Sequence, residues 1–172
     1  MRRQWVAYGL AALVGLAVLG YLGLVSGVLA PYLAGYDPAS PGDYEHTTVA
    51  AVDGETGEEL GQVNAAVADS FSKRYVGLSE TDRLPEDRGM LFVHDDVGER
   101  TYVMRNMSFG LDIVFVDSDG TITAIHEAPE PGPDEDGADQ EYAGEGQYVL
   151  EVDRGWTGER GIEVGDRLVF EV

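Results

Sequence analysis

The sequence predicts a mainly β fold: a small closed or partly open barrel of about eight short strands with one or two short helices, preceded by one transmembrane helix. Three observations predict it. Beyond residue 44, short apolar and β-branched runs alternate with turn residues. Within "LDIVFVDSDGTITAI", residues 111–125, an Asp-Gly pair separates two such runs, a strong tight-turn signal. At the other end of the chain, Arg2 and Arg3 are followed by no charged residue until Asp37. A two-layer α+β sandwich is the alternative arrangement of the same elements, but closing the sheet removes exposed strand edges and is preferred.

Residues 1–33 read as a signal-anchor. Val6 to Ala30 would span about 37 Å as a helix, more than the roughly 30 Å of a hydrocarbon core. Trp5, Tyr8 and Tyr32 lie near its ends, where aromatic residues favour the membrane interface. The arginine pair precedes the span and acidic residues follow it. The N-terminus is therefore expected in the cytoplasm and the rest of the chain outside. A cleaved secretory signal is the competing reading, although its apolar region would be shorter. Residues 34–43, "AGYDPASPGD", form a Pro/Gly/Ser linker, and residues 44–172 form the extracytoplasmic domain.

In that domain "TTVAAV" and "LGQVNAAVAD" flank a glycine-rich loop and read as a hairpin. "SFSKRYVGLS" reads as a helix over about 70–79, with Ser70 or Asp69 as cap and Phe71, Tyr75 and Leu78 at helical spacing. "MLFV", 90–93, is apolar throughout and reads as a strand buried on both faces, followed by a separate strand in "RTYVMRNM". Strands 111–116 and 121–125 flank the Asp-Gly turn. Residues 126–147, rich in acid, proline and glycine, read as a long loop. "YVLEV" returns to strand. "GWTGERGI" forms one helical turn stopped by Gly161, and "VGDRLVFEV" a turn and a last strand.

Charge and composition narrow the function. With 32 acidic and 11 basic residues the net charge is −21, and Lys73 is the single lysine. Such a chain repels nucleic acid phosphates, so no nucleic-acid partner is expected. The acidic surplus fits adaptation to high salt, where the Debye length falls to roughly 3 Å at 1 M. The absence of cysteine removes disulfides, thiol catalysis and cysteine-ligated zinc. His46, His94 and His126 have no zinc-ligand spacing, and "PDEDGADQE" lacks the EF-hand pattern. No metal and no cofactor is expected, and no catalytic residue is assigned.

At "VGLSETDRLPEDRGMLFV", "YVMRNMSFGLDIVFVDSDG" and "YVLEVDRGWTGERGIEVGD" the chain resembles the domain of unknown function 192 family, over about residues 48–172. The matching positions are Gly77, Leu78, Gly89, Met90, Leu91, Phe92, Met104, Asn106, Leu111, Asp112, Leu150, Glu151, Gly165 and Asp166. The chain departs from the family pattern at Ser79, Arg105 and Met107. The resemblance implies a compact β-rich domain and no particular reaction.

The candidate site comes from "MRNMSFGLDIVF", 104–115. In strand 111–116, Leu111, Ile113 and Phe115 share one face, and Asp112, Val114 and Val116 the other. Asp112 is therefore expected to be buried, at a cost of several kcal/mol unless it is paired. Arg105, Asn106 and the N–H groups of residues 105–110 are its expected partners. This group is either an internal tie or a small ligand pocket floored by Asp112. Three functions are compatible with these residues: a membrane-anchored accessory or small-ligand-binding domain; a hydrolase-like enzyme using Arg105, Asn106 and Asp112; or a structural cell-surface component. The partners would be the membrane, through residues 6–30, and a small molecule or a surface protein.

Overall fold

A computed structural model describes residues 44–172. The expected anchor, 1–33, and linker, 34–43, lie outside the described residues. Among the described residues no helix is long and apolar enough to cross a membrane.

Strands β1 (His46–Val52) and β2 (Glu59–Ala68) form the expected antiparallel hairpin. In its loop, Asp53 Oδ1 accepts from Thr56 N at 2.6 Å and from Thr56 Oγ1 at 2.8 Å, an acidic turn closing on itself. Helix α1 (Phe71–Val76) follows, capped by Ser70, whose hydroxyl accepts from Lys73 N at 3.3 Å. It ends at Gly77, which takes a φ of 51°. This crossover lets β3 (Arg88–Val103) run parallel to β2. The remaining pairs are antiparallel. They join β4 (Leu111–Val116) to β5 (Ile122–Ala128), β6 (Glu141–Asp153) to both β3 and β4, and β7 (Arg167–Val169) to β1. Helix α2 (Trp156–Arg160) lies between β6 and β7 and stops at Gly161, φ 67°.

The strand order is β5-β4-β6-β3-β2-β1-β7. The two outer strands approach one another. Thr121 bridges Arg167, Ile122 N donates to Asp166 O and Leu168 N donates to Gly120 O, both at 2.8 Å. The sheet is thus a curled half-barrel. All seven strands contribute to its inner core, among them Val49, Val63, Leu91, Val114, Leu150 and Leu168, with Trp156 and Ile162 packed in from α2 and its exit. A second core covers the outer face, where Met90, Phe92, Leu111, Ile113, Phe115 and Val149 pack together. Each central strand therefore alternates between two apolar environments. That is why "MLFV" and "LDIVFV" are apolar at nearly every position.

Three local expectations change. Among the described residues seven strands form where about eight short ones were expected, because "MLFV" and "RTYV" belong to one long strand. The residues between them are absorbed in an irregularity from Val93 to Gly98. The loop expected over 126–147 shrinks to 129–140, because residues 141–146 pair with 98–103. The glycines that read as breakers there serve close packing. A Cβ on Gly144 would lie 2.5 Å from Phe115 Cγ. Finally, α1 covers only 71–76. Phe71 and Tyr75, expected on its core face, are 53% and 57% exposed, and only Leu78 beyond its end is buried.

Candidate functional site

Asp112 is buried, as strand alternation requires, at 0% exposure on the inner face of β4. Its expected partners are corrected. The carboxylate reaches neither Arg105 nor Asn106 and instead receives the N-terminus of α2. Oδ1 accepts from Gly155 N at 3.0 Å, and Oδ2 accepts from Thr157 N at 2.8 Å and Thr157 Oγ1 at 2.6 Å. A five-residue helix cannot satisfy its own first amides, and a carboxylate placed there meets both their hydrogen-bonding need and their positive dipole end. The internal tie exists, and its far side lies 43–45 residues downstream.

Asn106 is exposed, with φ 57°, in the turn closed by Met107 N donating to Met104 O at 3.1 Å. Asparagine tolerates this left-handed geometry better than most residues, which accounts for its presence. Arg105 turns the other way. Its guanidinium donates to Tyr75 O at 2.6 Å and stacks on the Tyr75 ring, 4.5 Å from the centroid. The three residues singled out in sequence therefore separate into a core tie, a turn former and the edge of a cleft.

That cleft, about 570 Å³, lies between α1 and the outer face of the sheet. This volume is within the range of small-molecule sites. Met107 and Leu111 border it beside Arg105, and α1 borders it with Phe71, Arg74 and Tyr75. Strand β3 contributes Phe92, His94 and the run from Glu99 to Val103. Strand β6 contributes Glu151. Two guanidiniums fasten α1 across this space: Arg105 through Tyr75 O, and Arg74 by donating to Val93 O at 2.7 Å.

Glu151 is the residue that sequence reasoning missed. It sits on the central strand β6, between Met90 of β3 and Ile113 of β4 in register, and is only 5% exposed. Among the described residues its carboxyl has no hydrogen-bond or ion-pair partner. Burial alone raises its pKa to about 8, so it is largely protonated at neutral pH. The signal was present in the sequence. A lone acid inside "YVLEV" is the same anomaly as Asp112 inside "LDIVF".

Beside it, His94 Nε2 and the Tyr102 hydroxyl are 3.0 Å apart. Burial, then the charges of Arg100 and Arg74, push His94 down to about 4, so the ring is neutral. Burial, then the Glu151 charge, raise the Tyr102 phenol well above its ordinary value. Phe92, Tyr102 and Phe115 stack edge to face behind this pair, at 5.0 and 5.8 Å between centroids. Among the described residues no cluster of His, Asp or Glu is arranged to hold a metal ion.

Residues 52–170 match the family model DUF192, described as an uncharacterized ACR. A crystal structure from Sinorhizobium meliloti 1021, of a protein provisionally named a transcription regulator, is similar at TM-score 0.67 with 27% identity. That match covers 76% of this chain and 98% of the other. A protein of unknown function from Novosphingobium aromaticivorans DSM 12444 shares the fold at TM-score 0.60 and 23% identity, over 76% of this chain and 89% of its own. No curated protein matches. The family match spans most of the chain, from the last residue of β1 through β7, so this protein belongs to the domain of unknown function 192 family.

Proposed function

We propose that this protein is a membrane-anchored, extracytoplasmic domain that binds a small molecule in the cleft between α1 and the outer sheet face. The observation that carries this reading is Glu151. A buried carboxyl with no partner costs free energy unless something hydrogen-bonds it. Here it opens onto a cleft of ligand size. The cleft also has the composition of a binding site: aromatic and aliphatic walls with a few convergent polar groups. The anchor is supported by the uninterrupted apolar run over residues 6–30 and by the arginine pair before it. A crystallographic fragment screen tests the binding reading. Fragments should seat in this cleft within hydrogen-bonding distance of Glu151. A screen whose hits all lie elsewhere on the domain would refute it.

A further inference from the structure

We propose that the ligand is a small organic carboxylate with an apolar body, its charged end held by guanidiniums at the mouth of the cleft and its far end by the Glu151 side chain at the floor, acting as hydrogen-bond donor. This rests on the ligand-binding reading above and names the chemistry of the occupant.

Charge is the first argument. In a chain of net charge −21 with 11 basic residues, three arginines, Arg74, Arg100 and Arg105, line this one cleft. Two acids, Glu99 and Glu151, stand with them. None of the three guanidiniums is saturated. Each has five N–H donors. Arg74 and Arg105 each spend one on a backbone carbonyl, at Val93 and Tyr75. Arg100 binds Asp96 through NH2, at 2.6 Å to the carbonyl and 2.8 Å to Oδ1, while its buried Nε has no partner. Spare guanidinium donors at a cleft mouth suit a carboxylate, which accepts two parallel hydrogen bonds. A cation would meet repulsion at the mouth. A dianion would meet Glu99 and the acidic exterior.

The separation of the two polar ends is the second argument. Burial, with no offsetting guanidinium, sets the state of Glu151. Among the described residues none of these guanidiniums forms an ion pair with Glu151, so an occupant must answer both. Phe92, Leu78 and Met107 line the same cleft, and Phe71 and Tyr75 of α1 stack beside one another there, ring centroids 6.2 Å apart. An apolar or aromatic body fits this lining.

A consequence is linkage to protons. The ionisable groups facing the cleft are Arg74 and Tyr75 from α1; His94, Glu99, Arg100 and Tyr102 from β3; Arg105 from the following turn; and Glu151 from β6. His94 titrates near 4 and Tyr102 far above neutrality, so Glu151 is the buried group that changes state in the range around pH 8. Its ionisation removes the floor donor and adds a negative charge opposite the ligand.

The test is isothermal titration calorimetry of the full chain in detergent micelles. The probes are 4-hydroxyphenylacetate, 4-acetylbenzoate and 6-hydroxyhexanoate, each with an acceptor opposite its carboxylate and each paired with its neutral amide, and benzylamine. At least one carboxylate should bind with sub-millimolar affinity, and its amide about tenfold more weakly, the scale of one lost charged interaction. Affinity should fall about tenfold or more from pH 7 to pH 9. Glu151→Gln should keep binding and lose the pH dependence, and Arg105→Gln should weaken the carboxylate but not the amide. Should either variant misfold by circular dichroism, the wild-type pH profile and the carboxylate–amide ratio decide alone. Amides or benzylamine binding as tightly as the carboxylates would overturn the proposed ligand class while leaving the cleft a binding site. Binding of none of the probes would overturn the proposal too, and the fragment screen then decides whether the binding reading falls with it.

Discussion

Replacing Asp112 by alanine should unfold this domain more readily than any surface change, and the structure sets the size of the effect. The carboxylate accepts three hydrogen bonds, from Gly155 N, Thr157 N and Thr157 Oγ1, with no exposure to water. Removing it leaves two backbone amides and one hydroxyl without an acceptor, each worth about 1–3 kcal/mol when buried. Partial relaxation lowers the sum, so about 3–5 kcal/mol is expected. Helix α2 is far too short to be stable alone, so its N-terminus depends on this anion. With it lost, Trp156 loses the support that holds it in the inner core. Asp112→Asn keeps one acceptor but turns an amide donor toward a backbone donor, and should cost about 2–3 kcal/mol. Thr157→Val removes a single donor and should cost about 1 kcal/mol. The double variant Asp112→Ala/Thr157→Val should be less destabilised than the sum by about 1 kcal/mol, since both changes break one network. Urea unfolding at high salt, followed by Trp156 fluorescence and far-ultraviolet circular dichroism, measures all four. An Asp112→Ala change within about 0.5 kcal/mol of the parent, the scale of an unconstrained surface site, would refute the argument.

Four further outcomes are expected. Glu151 has its folded pKa raised from 4.5 to about 8, so between these values the unfolded chain binds fewer protons and the native state loses stability as pH rises. Glu151→Gln should therefore gain on the parent across that window, by up to about 1.4 kcal/mol per pH unit; a stability difference that does not change from pH 5 to pH 8 would contradict the assignment. Gly144→Ala should destabilise by about 1–3 kcal/mol by overpacking against Phe115, as denaturant midpoints would record. The −21 charge should make the melting temperature fall as salt is lowered from about 1 M to about 0.1 M, and equal values across that range would remove the case for salt adaptation. External protease on intact cells should digest the domain beyond about Pro31, whereas protection until lysis would reverse the proposed orientation.

The sequence alone determined what depends on neighbours along the chain. Alternation in "LDIVFV" put Leu111, Ile113 and Phe115 on one face and Val114 and Val116 on the other, and those sets occupy the two cores. The Asp117–Gly120 turn, the one-turn helix ended by Gly161 and the burial of Asp112 followed from the same local logic. The tertiary structure decided what depends on residues distant in the chain. Glycines 144 and 146 read as breakers because their reason for being glycine is the Phe115 ring and the Val116 backbone, brought beside them by strand pairing. Phe71 and Tyr75 have helical spacing, yet periodicity records only which residues share a face and not whether the sheet lies beneath it. Asp112 and Glu151 are equally anomalous as acids in apolar strands. One finds three donors on a helix that the chain forms 43–45 residues later, and the other finds none and opens onto a cleft. Burial is written into the alternation of a strand, but the partner of a buried charge is set by which strands pair and which face the connecting helices cover, and neither is a property of any short stretch of the chain.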